Sequence, residues 1–193
     1  MPRGVISTRG GDKGRTGTGG PDRVFKDDPR IEALGDLDEA NCVLGLLRSK
    51  LPPEHDWEAG LKRIQTEMMN LMGHVATPSN SPRQPSVPLP EESSLWLEQW
   101  MADIEEEMTD ATEFFLLPGG NEVSALCHLA RTTVRRAERR LVTLNQIDPV
   151  APSILQFINR LSDLCFKLSR QELHRNGIVE DRWRLFRPER KKS

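Results

Sequence analysis

Apolar residues recur at steps of three and four along most of this sequence, and this spacing is the strongest constraint on its fold. A helix turns once per 3.6 residues, so each such run places its apolar side chains on one face. No convincing strand alternation or internal repeat is present. Because each apolar stripe must pack against another, the sequence predicts an all-α fold, an up-down bundle of five helices with a crossover. The five segments lie at about 29–51, 55–76, 91–113, 121–145 and 151–176.

The breaks between these segments carry residue types that begin or end helices. Asp28 is a good N-cap, and Pro29 suits the first turn of the first helix. Residues 77–90 hold five prolines and three serines, which predicts an exposed crossover. The run FFLLPGGN at 114–121 separates the third helix from the fourth. A chain of 193 residues fits one domain. We divide it into a head at 1–28, a bundle at 29–176 and a tail at 177–193.

Charge and composition argue against several classes of protein. The formal net charge is −2, so bulk charge does not call for nucleic acid or a membrane surface. No run of about 18 apolar residues is present, which argues against a membrane span, and the N-terminus shows no apolar signal segment. Cys42, Cys127 and Cys165 lack CxxC spacing. This argues against disulfides and a cysteine-rich zinc site, and it predicts a cytoplasmic protein.

Glycines crowd the head between Gly10 and Gly20. Such a segment has little to bury and cannot form a stable helix. Glycines let backbone N–H groups approach an anion, and Arg9, Lys13 and Arg15 add positive charge. The run TRGGDKGRTGTGG matches neither a Walker A loop nor a dinucleotide-binding fingerprint. By itself it allows two interpretations, an anion-binding loop or a flexible tail.

Arginines mark two faces of the fourth predicted helix. Arg131, Arg135 and Arg139 are spaced by four and line a face beside the apolar stripe. Arg136 and Arg140 point elsewhere. Like charges this close repel one another unless anions lie among them. The pattern suits a solvated surface, ion pairs to the acidic third helix, or a clamp for polyphosphate oxygens.

Polar residues also flank the apolar stripes of the first and fifth helices. Asp38, on the first helix, is a reasonable partner for an arginine of the fourth, within one subunit or across two. A boundary asparagine such as Asn159 is more often a structural hydrogen-bonding residue than a ligand contact. On the fifth helix the polar line consists of Asn159, Asp163, Phe166 and Arg170.

Five segments occur in an order that resembles one enzyme family. They are TRGGDKGRTG, RVFKDDPRIEALGDLDEAN, FLLPGG, ARTTVRRAER and FINRLSDLCFKLSRQE. Together they resemble the ATP:cob(I)alamin adenosyltransferases of the propanediol-utilisation type, from about Ile6 to about Glu172. The resemblance implies transfer of the 5′-deoxyadenosyl group of ATP to the cobalt of cob(I)alamin, with release of triphosphate and with Mg²⁺ assisting. It also implies a ferritin-like helical bundle that forms a homotrimer with active sites at subunit interfaces. An electron-donor flavoprotein and a cobalamin-dependent client enzyme are further expected partners.

The resemblance also implies roles for individual residues. Phe115 would lie against the lower face of the corrin ring, and Asp38 and Arg131 would pair across the interface. Trp183 or Phe186 would supply a second aromatic residue, and no metal-ligating residue is assigned. The head reads TRGGDKG where TRTGDKG is common in the family, so one threonine contact is in doubt. Catalytic roles fall on Phe115, Arg131, Arg135 and Asp38. ATP contacts fall on Thr8, Arg9, Gly10, Gly11, Asp12, Lys13, Gly14, Thr16, Lys26, Arg135, Arg136, Glu138, Arg139 and Asn159.

Two other functions share some of these features. A ferritin-like di-metal bundle would need Glu-x-x-His pairs on two helices. The four histidines show no such spacing. A non-catalytic anion- or nucleic-acid-binding helical module could use the arginine face without chemistry. The acidic third helix and the near-neutral net charge argue against that alternative.

Overall fold

The computed structural model describes residues 9–108 and 115–183. This part of the chain is mostly helical, as predicted, with one small hairpin. The hairpin strands are β1 (Arg15–Gly17) and β2 (Arg23–Phe25). The helices are α1 (Pro29–Ser49), α2 (Trp57–Ala76), α3 (Glu91–Glu107), α4 (Glu122–Asn145) and α5 (Pro152–Arg175).

The helices begin and end close to the predicted positions, with one clear exception. Asp28 caps α1, its carboxylate accepting a hydrogen bond from the Arg30 amide at 2.9 Å. Asn121 caps α4 in the same way through the Ser124 amide at 2.8 Å. The predicted end of the third helix near residue 113 is wrong, because Met108 already has extended backbone. Residues 109–114, which the prediction included in part, lie outside the described residues.

α4 stands between α1 and α5 and packs along both. α2 lies against α1, and α3 lies against α5. The predicted apolar stripes meet in one continuous core, in which Leu44, Met68 and Leu141 are fully buried. Some stripe residues are only partly buried at its edge, among them Leu34, Trp100, Met108, Val123, Leu126 and Leu155. The central place of α4 puts both of its arginine faces at boundaries between helices.

The β1–β2 hairpin was not predicted. Its strands pair antiparallel, with Thr16 opposite Val24. Three residues per strand give no readable alternation, so periodicity could not reveal them. A side chain contributes to the fold here, because Arg23 Nη2 donates to the carbonyl oxygens of Gly10 and Arg15, both at 2.7 Å. The head is therefore an ordered structure from Arg9 onward rather than a flexible tail.

The crossover between α2 and α3 is largely exposed, as predicted. It folds back on itself, because Gln84 Nε2 donates to the carbonyl oxygen of Ser81 at 3.0 Å. Pro90 is buried where α3 begins. Within residues 9–108 and 115–183, no helix combines the length and apolar character that crossing a bilayer would need. The same residues contain no group of three or more His, Cys, Asp or Glu side chains placed to hold a metal ion.

Candidate functional site

One row of α4 arginines is neutralised by α1. Arg136 Nε lies 3.1 Å from Asp36 Oδ1, and Arg136 Nη2 also binds Glu39. Arg140 Nη2 lies 3.2 Å from Glu32 Oε2. Hydrogen bonding to Glu39 and Asp36 raises the pKa of Arg136. The suggested ion pairs between α4 arginines and the acidic third helix are therefore wrong for this row, since α1 supplies the carboxylates.

The arginines of the other row form no ion pair with the described residues. Arg131 and Arg135 form no ion pair with any residue of 9–108 or 115–183, and the buried Nε of Arg131 has no hydrogen-bond partner there. Arg139 Nη1 donates to the carbonyl oxygen of Arg135 at 3.0 Å. Guanidinium groups held close together repel unless an anion lies among them. This row, Arg131, Arg135 and Arg139, is called the open arginine row below.

A chain of hydrogen bonds runs from α4 to α5 beside the open arginine row. Asn159 Nδ2 donates to Glu138 Oε1 at 2.9 Å, and Arg160 Nη1 donates to Asn159 Oδ1 at 2.9 Å. Arg160 Nε continues to Glu98 at 2.6 Å. Partial burial raises the pKa of the neighbouring Asp163 carboxyl, and the positive charges of Arg160 and Arg135 oppose that rise. The chain fixes Glu138 and Asn159, two of the predicted ATP contacts, next to one another.

Asp38 is exposed on α1 and forms no ion pair within the described chain. The α1 acids that bind α4 are its neighbours Asp36 and Glu39. Of the two possibilities left open by the sequence, an ion pair of Asp38 inside one subunit is thus not present in the part of the chain that the structure describes. A pair with Arg131 of another subunit stays a prediction.

The head brings several predicted ATP contacts together. Lys26 N donates to the Gly14 carbonyl at 2.9 Å, which closes the loop. A Cβ built on Gly11 would lie 3.2 Å from Lys26 Nζ, so the lysine side chain passes close to Gly11 and leaves little room for a side chain there. Arg9 and Gly14 both have positive φ, 57° and 74°, in the left-handed region that favours glycine. The remaining head contacts, Gly10, Asp12 and Lys13, are exposed, and Thr8 lies outside the described residues.

Thr16 and Lys26 face α1 across a cavity of about 400 Å³. Asp36 and Glu39 line its other side. Within one chain the head therefore lies beside the neutralised arginines. No hydrogen bond or ion pair among the described residues joins the head to Arg131 or Arg135.

Phe115 is 81% exposed, which is unusual for a large apolar side chain. Its backbone is held by the tail, because Trp183 N donates to the Phe115 carbonyl at 2.7 Å and Leu117 N donates to Asp181 at 2.8 Å. The Phe115 and Trp183 rings meet edge to face at 6.3 Å. Of the two tail aromatics considered from the sequence, Trp183 stands beside Phe115, whereas Phe186 lies outside the described residues.

The sequence did not identify the ion pair that anchors this tail. Arg170 is 4% exposed and binds Glu180 with two hydrogen bonds, at 2.7 and 3.0 Å. The pair borders a cavity of about 600 Å³ between α5 and the tail. Nearby His128 is buried, and burial together with the charge of Arg131 lowers its pKa. Arg170 belongs to the predicted polar line of α5, but no spacing rule could pair it with a residue after the helix end.

Comparison with known proteins agrees with this architecture. A family model described as cobalamin adenosyltransferase matches residues 6–172. A protein of Cupriavidus metallidurans named cobalamin adenosyltransferase is 38% identical over 177 residues, 91% of each chain. The corrinoid adenosyltransferase of Homo sapiens is 33% identical over 179 residues, which cover 91% of this chain and 71% of the human one.

A solved structure gives the same result at the level of the fold. It is a variant PduO-type ATP:corrinoid adenosyltransferase from Lactobacillus reuteri, complexed with cobalamin and ATP. The two chains superpose with a TM-score of 0.89 at 31% identity, covering 94% of this chain and 100% of that one. The resemblance drawn from five short segments is confirmed, and the chain belongs to the cobalamin adenosyltransferase family.

Proposed function

We propose that this protein transfers the 5′-deoxyadenosyl group of ATP to the cobalt of cob(I)alamin, forming adenosylcobalamin and triphosphate. Its family membership supports this, as do the relatives named corrinoid adenosyltransferases. The observation that carries the proposal is the open arginine row. The neighbouring row on the same helix is neutralised by α1, whereas the guanidinium groups of this row form no ion pair with the described residues. Such groups suit a highly charged leaving group.

The reaction needs orientation and charge stabilisation rather than a protein nucleophile. Cobalt(I) supplies an electron pair to C5′ of ATP, so a Co–C bond forms and cobalt becomes formally Co(III). The C5′–O bond breaks, and its electron pair leaves on the triphosphate oxygen. Negative charge therefore grows on the phosphate, where fixed positive groups stabilise the transition state most. Mg²⁺ binds phosphate oxygens readily, so we expect it to arrive with ATP.

The residues proposed to hold ATP form two groups. The head supplies the backbone N–H groups of Gly10, Gly11 and Lys13 and the ammonium groups of Lys13 and Lys26, because the amides of Asp12 and Gly14 already donate to the carbonyl oxygens of Arg9 and Gly11. α4 and α5 supply the open arginine row with Glu138 and Asn159. Arg136 is the weakest of these candidates, because Asp36 and Glu39 already neutralise it.

The separation of the two groups within one chain favours a site shared between subunits. The head lies beside the neutralised arginines, so a second copy would bring its own α4 to complete the nucleotide site. Asp38 and Arg131 would then pair across the interface. Each of α1 and α4 also carries an exposed apolar residue, Leu46 and Leu129, both 45% exposed. These residues support burial of the two helices against another subunit. We therefore propose a homotrimer.

Phe115 is proposed to face the corrin ring. An exposed aromatic residue there would deny the lower face of cobalt an axial ligand, which favours reduction to cobalt(I). It would also exclude water from the reacting metal. The three cysteines are free, which is compatible with a cytoplasmic site of action. The chemistry requires a one-electron donor to make cobalt(I), and the expected partners are a flavoprotein in that role and an enzyme that uses adenosylcobalamin.

A single assay tests the function. The purified protein is mixed with ATP, Mg²⁺ and chemically reduced cobalamin under anaerobic conditions, and the visible spectrum is followed for the alkyl-cobalt product. Product formation that depends on ATP is the expected result. ATP binding without any Co–C bond would instead favour the non-catalytic anion-binding module, which shares the open arginine row.

A further inference from the structure

Arg30 is a buried charged residue in the first turn of α1, with a side chain that is 9% exposed. Its Nη1 donates to the carbonyl oxygens of Val75 and Thr77 at the end of α2, the second at 3.4 Å. Its Nη2 binds the carboxylate of Asp148 in the turn between α4 and α5. A buried guanidinium is tolerated only when its donors find partners. This side chain therefore joins three segments that are distant in sequence.

Asp148 extends the connection to the crossover. It accepts hydrogen bonds from the Ser79 amide at 3.0 Å and from the Ser79 hydroxyl. Burial alone would raise the pKa of Asp148, and these hydrogen bonds together with the charge of Arg30 bring it below its ordinary value. The ionised carboxylate thus holds Ser79, and through Arg30 it is connected to the Thr77 carbonyl.

The head rests on the same short segment. Gly19 N donates to the Ala76 carbonyl at 2.7 Å. A Cβ on Gly19 would lie 2.3 Å from Thr77 Oγ1 and 3.0 Å from Thr77 Cα, so only glycine allows this approach. Gly20 is similarly close to Pro78, at 3.2 Å. The turn between β1 and β2 is therefore seated on residues whose position Arg30 and Asp148 fix.

The head is braced internally, so its docking sets the direction of the whole loop. Arg23 links Gly10 to Arg15, and Lys26 is hydrogen-bonded to Gly14. The head meets the helices at two places, the entry into α1 at Asp28 and the seat of the turn on Thr77. Arg30 lies two residues after Asp28, and its side chain binds the carbonyl oxygen of Thr77. It is therefore close to both contacts.

We propose that Arg30 and Asp148 form a positioning pair for the nucleotide: they fix the seat on which the head turn packs, and so set where the ATP-binding loop stands. The inference rests on the proposed function but assigns residues outside the proposed site, neither of which is among the proposed ATP contacts. A misplaced loop should weaken ATP binding while leaving the corrin side, at Phe115 and Trp183, unchanged. The signature is a change in KM for ATP without a matching change in KM for cobalamin.

The test uses the full-length protein and three variants. Arg30→Met removes the charge and keeps the aliphatic stem, and Arg30→Lys is the conservative partner. Arg48→Met is the matched control. Arg48 lies at the other end of α1 and also binds α2, donating to Glu58 and to Gln65 at 2.6 Å, far from the head in the fold. For each protein, KM for ATP, KM for cobalamin and deuterium uptake by the peptide spanning residues 15–26 are measured.

We expect Arg30→Met to raise KM for ATP by about tenfold, because small displacements of positioning groups have effects of this size or larger. KM for cobalamin should stay within about twofold, and deuterium uptake at the head should rise because the Gly19 amide loses its partner. Arg30→Lys should recover part of the affinity. Arg48→Met should change neither KM nor head exchange.

Several results would overturn the inference. Unchanged KM for ATP in Arg30→Met, or an equal rise in Arg48→Met, would show that the pair has no positioning role. Should Arg30→Met fail to fold, Gly19→Ala replaces it, because the added Cβ lifts the turn from Thr77 while the ion pair stays intact. An unchanged KM for ATP in that variant would equally refute the role. If the wild-type protein itself showed no adenosyl transfer, the proposed function would be refuted. The comparison between variants and wild type tests only the positioning role of Arg30 and Asp148.

Discussion

Phe115→Ala should lower the turnover of the enzyme much more than the stability of its fold. The side chain is 81% exposed, so about a fifth of it is buried. A fully buried Phe→Ala change costs about 3–5 kcal/mol, and a fifth of that is roughly 0.6–1 kcal/mol. Loss of the edge contact with Trp183 adds up to about 1 kcal/mol. For a domain of this size, the melting temperature should fall by only a few degrees.

The effect on catalysis should be much larger. Covering a phenylalanine side chain with the corrin ring would remove apolar surface worth about 1.5–3 kcal/mol from water. If this free energy is lost from the transition state in Phe115→Ala, turnover should fall roughly 10- to 100-fold. KM for ATP should stay within about twofold, because the head and the open arginine row are untouched.

The assay follows alkyl-cobalt formation at saturating ATP, with the reduced cobalamin concentration varied. Ile147→Ala is the control, since Ile147 is also exposed, at 66%, but lies in the turn after α4. Visible spectra of the cobalt(II) complex should show more of the form that keeps its axial base in Phe115→Ala. Equal losses of ATP affinity and turnover, or no loss at all, would refute the role given to Phe115.

Three further changes test other parts of the molecule. Arg135→Ala should raise KM for ATP or lower kcat by at least about tenfold, with an unchanged circular dichroism spectrum, because it removes a charge from the open arginine row; wild-type kinetics would take Arg135 out of the site. Gly120→Ala should destabilise the fold by about 1–3 kcal/mol in urea unfolding, since Gly120 has φ of 93° and a Cβ would lie 2.5 Å from Leu173 Cδ2; an unaltered midpoint would contradict this. Hydrogen bonding from Arg175 lowers the pKa of Glu107, so its contribution is present above the unfolded pKa and is lost as pH falls through the folded one. Glu107→Gln should therefore flatten the decline in stability below about pH 4.5, and an identical acid slope in both proteins would count against the pair.

The sequence predicted the helices well because their signal is repeated many times. Each stripe supplies several buried positions, so a few partly exposed residues such as Leu34 did not disturb the pattern. The cap at Asp28 was readable for a different reason, since a short polar side chain just before a helix commonly accepts a hydrogen bond from its first turn. Family membership followed from five motifs in register, none of which is specific alone.

Other features depended on contacts that no local pattern records. The β1–β2 hairpin is too short to show alternation, and the Arg23 side chain that braces it is one of many arginines. The two arginine faces of α4 could be predicted from the sequence, but not which of them forms ion pairs. Whether a guanidinium meets a carboxylate depends on which helix packs alongside, and α1 rather than α3 occupies that place. The pairing of Arg170 with Glu180 likewise depends on the path of the tail.

Because the two arginine rows lie on different faces of α4, a change in the length of this helix would alter which row meets the carboxylates of α1. Each residue advances the helix by 100°, so inserting a single residue before Arg131 would move Arg135 and Arg139 to the positions of Arg136 and Arg140, which face the carboxylates of α1. The guanidinium groups meant for a nucleotide would then be quenched by the protein's own acids, while the amino-acid content stayed almost the same. Related proteins should accordingly differ by substitutions within α4 far more often than by insertions or deletions there. Changes in chain length should occur in the turns on either side of the helix.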